Sequence, residues 1–184
     1  MKRIVKFSAS AMILLLMAAG TTRAQSLSSD SVKAQMIADW QRAKAYTVDY
    51  LNSMPAGKYN LRPTDSIRSF AQQMLHIAQG NLFLMSNATD APPPAWIQAD
   101  LEHSAGAAGK DSVLYYVTAS YDFCSDAVKN LDMSKWGEKK KLFGMEATRW
   151  ALANKTFEHQ THHRGQTTIY IRLAGAKPPQ ERLF

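Results

Sequence analysis

The chain has 184 residues, a formal charge of +7 and a single cysteine. That is length enough for one domain with a real core and rules out an internal disulfide framework. Residues 1–24 hold four basic and no acidic residues, so without them the charge falls to +3 over 160 residues, and the basicity gives no reason to invoke a nucleic-acid partner.

That first segment has the layout of a cleavable signal peptide. Lys2, Arg3 and Lys6 form a basic start, Ala11 to Gly20 is an uncharged apolar run, and Thr22 and Ala24 place small residues before a cut at Gln25. The run is about half of the roughly 20 residues a spanning helix needs, so stable membrane insertion is not expected after cleavage. The expectation is an exported protein, periplasmic or secreted, with one domain over 25–184. The lone thiol, Cys124, lies among Tyr121, Asp122 and Phe123 and is expected to be buried and inert.

From Ser31, apolar residues recur at three- and four-residue steps through Val32, Met36, Trp40, Ala43 and Leu51. This predicts a helix capped by Asp30 or Ser31 and ended at Pro55-Ala56-Gly57. Trp40, Tyr46 and Tyr50 belong to its core face, the alternative being a homodimer contact. Beyond Pro63, Thr64 or Asp65 is a natural cap for a second helix carrying Ile67, Phe70, Met74, Leu75, Ile77 and Leu82, ending near Asn87. His76 falls in its middle, and Gly80 offers a place for a neighbouring helix to approach.

Residues 88–109, with Pro92-Pro93-Pro94, form a long connection containing a short helical piece around Trp96 to Glu102. A third helix opens at Lys110 and runs to Leu131. Asp132 to Lys141 is expected to be a solvated charged turn. A fourth helix is expected from about Met145 to Leu173, including the β-branched stretch 167–172, with Gly175 and Pro178-Pro179 as its stop. No strand pair is expected. Four amphipathic segments predict an all-α fold, a four-helix bundle.

Three of the five histidines fall within His159-Gln160-Thr161-His162-His163. On a helix, His159 and His163 share a face, and neutral imidazole is a common metal ligand. His162, at i+3 from His159, competes for the same pairing, and spacing alone does not choose between them. His76 is the leading third ligand from another helix, since a polar ring among apolar neighbours needs a partner; His103, in the connection beside Glu102, is the weaker one. Gln160 stands where a zinc protease HExxH motif needs glutamate, Glu158 faces elsewhere on the helix, and no Gly-x-Ser-x-Gly elbow is present.

Met74-Leu75-His76-Ile77-Ala78, His159-Gln160-Thr161-His162-His163-Arg164-Gly165-Gln166, the lead-in Tyr59 to Thr64 and the ending Tyr170 to Pro179 together resemble the DinB/YfiT-like family of metal-dependent four-helix bundles, across most of residues 31–179. The resemblance implies His76, His159 and His163 as ligands, which settles the choice against His162. It implies a divalent metal as cofactor, with Zn²⁺ suiting imidazole best and Ni²⁺, Fe²⁺ and Mn²⁺ as alternatives. Such an ion activates bound water or a thiolate. The family includes thiol-dependent transferases and isomerases, but export argues against a cytosolic thiol partner. The functional expectation is a metal-dependent transferase or hydrolase on an unknown small molecule, the alternative being a non-catalytic metal- or ligand-binding bundle. Arg164 and Gln166 flank the ligands, with a structural role or substrate contact open to each.

Overall fold

The computed structural model describes residues 28–98 and 100–184. The signal-peptide expectation for residues 1–24 lies outside the described residues. Four long helices make the body of the domain: α1 (Ser29–Ser53), α2 (Phe70–Thr89), α3 (Lys110–Asn130) and α4 (Arg149–Leu173). α2 packs against both α3 and α4, and α1 closes the bundle mainly against α3. Among the described residues no helix is long and apolar enough to cross a membrane.

α1 starts two residues earlier than its composition suggests, because the Ser28 hydroxyl accepts the Ser31 amide at 3.1 Å. Trp40, Tyr46 and Tyr50 are all buried, so the core reading of these aromatics holds and they present no open face for a second copy. Trp40 meets Tyr121 and Phe157 edge-on, at centroid distances of 5.7 and 5.2 Å.

The second helix corrects the sequence expectation. It begins at Phe70, not after Thr64 or Asp65, because Ser69 and Gln72 form a reciprocal capping box that satisfies two helix-end donors at once. The preceding residues fold as turns, held by Phe70 N–H to Leu61 O and Ala71 N–H to Tyr59 O. Ile67, expected in the core, is 42% exposed as a result. The connection from Asp90 to Gly109 runs through short 3₁₀ turns, one of which, Leu101–His103, packs on α2.

The charged turn is also corrected. Lys139–Leu142 (β1) and Met145–Thr148 (β2) pair as an antiparallel hairpin, Leu142 opposite Met145. Phe143 and Gly144 both take positive φ, 51° and 79°, the requirement of the tight turn that matches strand twist. Phenylalanine carries no sequence signal for that conformation, and the hairpin delays α4 from Met145 to Arg149, where Thr148 caps it. The lysines are only partly a free solvated run. Lys140 reaches Asp90 at 2.6 Å, and the buried Arg149 bridges Asp90 and Glu138, pinning hairpin and α4 to the end of α2. These two cations hold the Asp90 carboxyl below its ordinary range, Lys140 foremost. α4 runs unbroken through 167–172 and stops where Gly175 adopts φ of 80°.

Candidate metal centre

Along α4, Gln160, Arg164 and Thr167 are buried, while His159, His163 and Gln166 lie on an adjacent strip facing α2. The 3.6-residue period separates these two faces. His76, in the middle of α2, stands opposite. His76, His159 and His163 each offer a ring nitrogen, and these nitrogens lie within 4.8 Å of one another. The three residues that the resemblance singled out are therefore brought together. His162 is exposed and bonds the Gln166 amide at 3.1 Å, and His103 is exposed and pairs with Asp100 at 2.7 Å. Neither joins the cluster.

Space for this grouping comes from Gly80, one turn beyond His76. A Cβ there would lie 2.7 Å from Nδ1 of His159, inside van der Waals contact. Any side chain at position 80 would have to displace that ring.

His76 is oriented by a residue the sequence did not single out. Its Nδ1–H donates to Oε1 of Glu102, and the other Glu102 oxygen accepts Nε–H of Arg68 at 2.7 Å. Burial pushes the Glu102 carboxyl up, but the hydrogen bonds and charges of Arg68 and His76 outweigh it and hold the group below its ordinary value. An ionised carboxylate can only accept, so Nδ1 of His76 carries a proton and Nε2 is the ring nitrogen turned towards His159. Glu102 is itself anchored, its backbone N–H donating to Oε1 of Gln79 at 3.1 Å.

Nδ1 of His163 lies 3.1 Å from the Gln166 side-chain oxygen, which also accepts the Gln73 amide N–H. With Nδ1–H donating to Gln166, Nε2 presents its lone pair towards the other rings. Burial first, then the neighbouring histidines, push both His159 and His163 down to about 4, so both rings are neutral near pH 7.

The donor set suits a cation. Nε2 of His159 lies 3.3 Å from Nε2 of His76, and Nδ1 of His159 is buried without a partner. A neutral imidazole has one N–H for these two positions, so one nitrogen is always left poorly served. Ring nitrogens converging from three imidazoles, two of them fixed from behind by carboxylate or amide, match the way imidazole ligands are usually held.

Arg164 faces the other way. It is buried, donates to Gln160 Oε1 at 3.1 Å and lies 4.6 Å over the Tyr46 ring, so it fastens α4 to α1. Gln166, in contrast, touches His163 directly. Glu158 is exposed and paired with Lys155. Cys124 is buried, and burial pushes its thiol well up, as expected of an inert cysteine.

The DinB family model matches residues 25–182. The chain belongs to the DinB family. Its fold is shared with a DinB-like protein of Bacillus subtilis at 15% identity and a TM-score of 0.61, covering 82% of this chain and 96% of that one. A DinB-like protein of Bacillus cereus aligns at 16% identity and a TM-score of 0.60, covering 80% and 95%. A conserved protein of Enterococcus faecalis aligns at 16% and 0.63, covering 78% and 96%. No curated protein matches the chain. At these identities the neighbours establish the bundle architecture of a DinB protein, and the chemistry rests on the residues themselves.

The close approach expected at Gly80 is present, made by His159, while Glu102, Gln73 and Arg68 are the site residues that sequence reasoning missed. Gln73 could have been found, since it lies one turn from His76 on the same helix. Glu102 could not, because its approach depends on how a long irregular connection folds back.

Proposed function

We propose that this DinB-family protein is exported and holds one divalent cation through His76, His159 and His163, serving as a metal-dependent transferase or hydrolase. The observation that carries the metal reading is the convergence of ring nitrogens from His76, His159 and His163, all within 4.8 Å of one another. Zn²⁺ suits the ligands best, with Ni²⁺, Fe²⁺ or Mn²⁺ as alternatives. Export rests on the pattern of residues 1–24.

The bound cation would supply Lewis-acid activation of a water or thiol. The chain's own contribution is orientation and charge. Glu102 holds Nδ1 of His76, Gln166 holds the His163 ring and is itself held by the Gln73 amide, and burial keeps His159 neutral. Arg68 balances the Glu102 charge, so the wall beside the histidines is not left with an unpaired anion.

A non-catalytic metal- or small-ligand-binding bundle is the second reading. It is favoured by the commitment of Glu102 to both Arg68 and His76, which leaves that carboxylate poorly placed to move protons.

Metal analysis of the purified protein tests the first step, with stoichiometric divalent metal expected in wild type and lost in His159→Ala. A turnover screen with hydrolysable and electrophilic substrates, with and without thiols, tests the second. Turnover abolished by His163→Ala supports the enzyme, and metal without turnover supports the binding module.

A further inference from the structure

A cleft of about 760 Å³ opens beside the histidines, a size suited to a small organic ligand. Glu102 and Gln166, which hold the His76 and His163 rings, line it together with Gln73, whose amide donates to Gln166. Its outer wall combines Arg62, Pro63, Ile67, Arg68, Ile169 and Tyr170. Tyr170 O–H donates to Arg68 O at 2.9 Å and so fastens the turn before α2 to α4, giving both sides of the cleft a fixed separation.

The charges in this cleft do not cancel. Arg68 is matched by Glu102. Arg62 is exposed and held only by uncharged oxygens, Ile67 O at 2.9 Å and Gln72 Oε1 at 2.7 Å, and no carboxylate pairs with it among the described residues. Those two bonds fix the guanidinium plane while leaving three of its five N–H donors for another acceptor. Gln72 is itself locked in the capping box with Ser69, so the orientation of Arg62 is tied to the start of α2.

Apolar surface in the same cleft is also unused. Ile67 is 42% exposed and Ile169 56% exposed, two large lining side chains open to solvent. A fixed cation and an apolar surface along one cleft describe a ligand with an anionic head and an apolar body.

We propose that this cleft binds a small organic anion, a carboxylate or phosphate monoester with an apolar body, whose head is gripped by Arg62 and whose body lies against Ile67 and Ile169, beside the residues that hold the His76 and His163 rings. The inference deepens the metal-centre reading and rests on it for the identity of the cleft's reactive end. Arg62 is a specificity-determining residue here, and neutral analogues are discriminated against because they leave its donors in water.

Calorimetric titration tests this with 4-phenylbutyrate, phenyl phosphate and the neutral 4-phenylbutanamide, each added to metal-loaded and to chelator-treated protein. Wild type is expected to favour at least one anion over the amide by about tenfold, the value of a charge-assisted pair at a partly exposed site. Arg62→Gln, which keeps hydrogen-bonding capacity without the charge, is expected to erase that preference while leaving the metal content and the melting temperature unchanged. Which anion binds more tightly assigns the head group. Equal affinity for anions and amide in wild type, no binding of any probe, or a preference that survives in Arg62→Gln overturns the proposal. Arg62-dependent anion binding in a protein that takes up no metal would uphold the cleft and sink the metal reading. Stoichiometric metal without anion preference would do the reverse.

Discussion

Gly80 of α2 lies directly beneath the imidazole of His159 on α4, so close that a Cβ would come within 2.7 Å of Nδ1. The contact places a glycine mid-helix, where it costs roughly 1 kcal/mol relative to alanine, in return for room at the histidine cluster. Gly80→Ala therefore sets two effects against each other. Helix propensity gains, while the His159 ring must swing away from His76. The expected outcome is a folded protein, changed in stability by no more than about 1 kcal/mol, whose metal affinity falls by about tenfold or more. Thermal melts alongside a competitive chelator titration check both halves, and unaltered metal affinity would show that the ring's position is not required.

Glu102 acts on the centre only through His76. In Glu102→Gln the side chain can still accept a hydrogen bond, but the charge that fixes the Nδ1–H tautomer is gone and Arg68 loses its partner. Metal affinity is expected to fall about 10- to 100-fold with helical content unchanged. Chelator competition and far-ultraviolet circular dichroism read these two quantities.

Acid should destabilise the metal-free protein in a defined window. His159 and His163 titrate at about 4 when folded and near 6.5 when unfolded, so between those values the unfolded chain binds more protons. Their contribution is complete above about pH 6.5 and is lost as pH falls towards 4. Urea midpoints of chelator-treated protein are expected to decline across that range. In the His159→Ala, His163→Ala double variant the slope should flatten, and an unchanged slope would mean the rings are not buried neutral.

Arg164, next to a ligand in sequence, is expected to matter for folding and not for the metal. Arg164→Ala removes donors to Gln160 and Thr47 and the contact over Tyr46, costing about 2 kcal/mol or more, while the purified protein retains its metal. Loss of metal from a fully folded Arg164→Ala protein would contradict the assignment.

Export is expected to leave Gln25 at the mature N-terminus. N-terminal sequencing of protein collected outside the cytoplasm checks the cut, and an intact Met1 there would refute it.

The parts of this fold that were legible in the sequence are those governed by local periodicity. Trp40, Tyr46 and Leu51 recur at helical spacing and are core, and the 167–172 stretch is helical despite its β-branched residues because it continues a packed helix. Helical spacing put His159 on one face with His162 or His163, and the resemblance to the DinB/YfiT-like family singled out His163 and His76. What escaped was decided by single conformations or by non-local closure. Phe143 at positive φ turns a charged segment into a hairpin, the Ser69–Gln72 pair outcompetes Thr64 as a cap, and Glu102 meets His76 only because a connection with no periodicity folds across α2.

The most direct test of the central claim is the metal content of purified protein measured beside that of His76→Ala, His159→Ala and His163→Ala. About one equivalent of divalent metal in wild type, lost or sharply reduced in each variant while all remain folded, is the expected result. A wild-type protein that takes up no divalent metal when loaded, or one whose metal survives removal of each histidine, would contradict it.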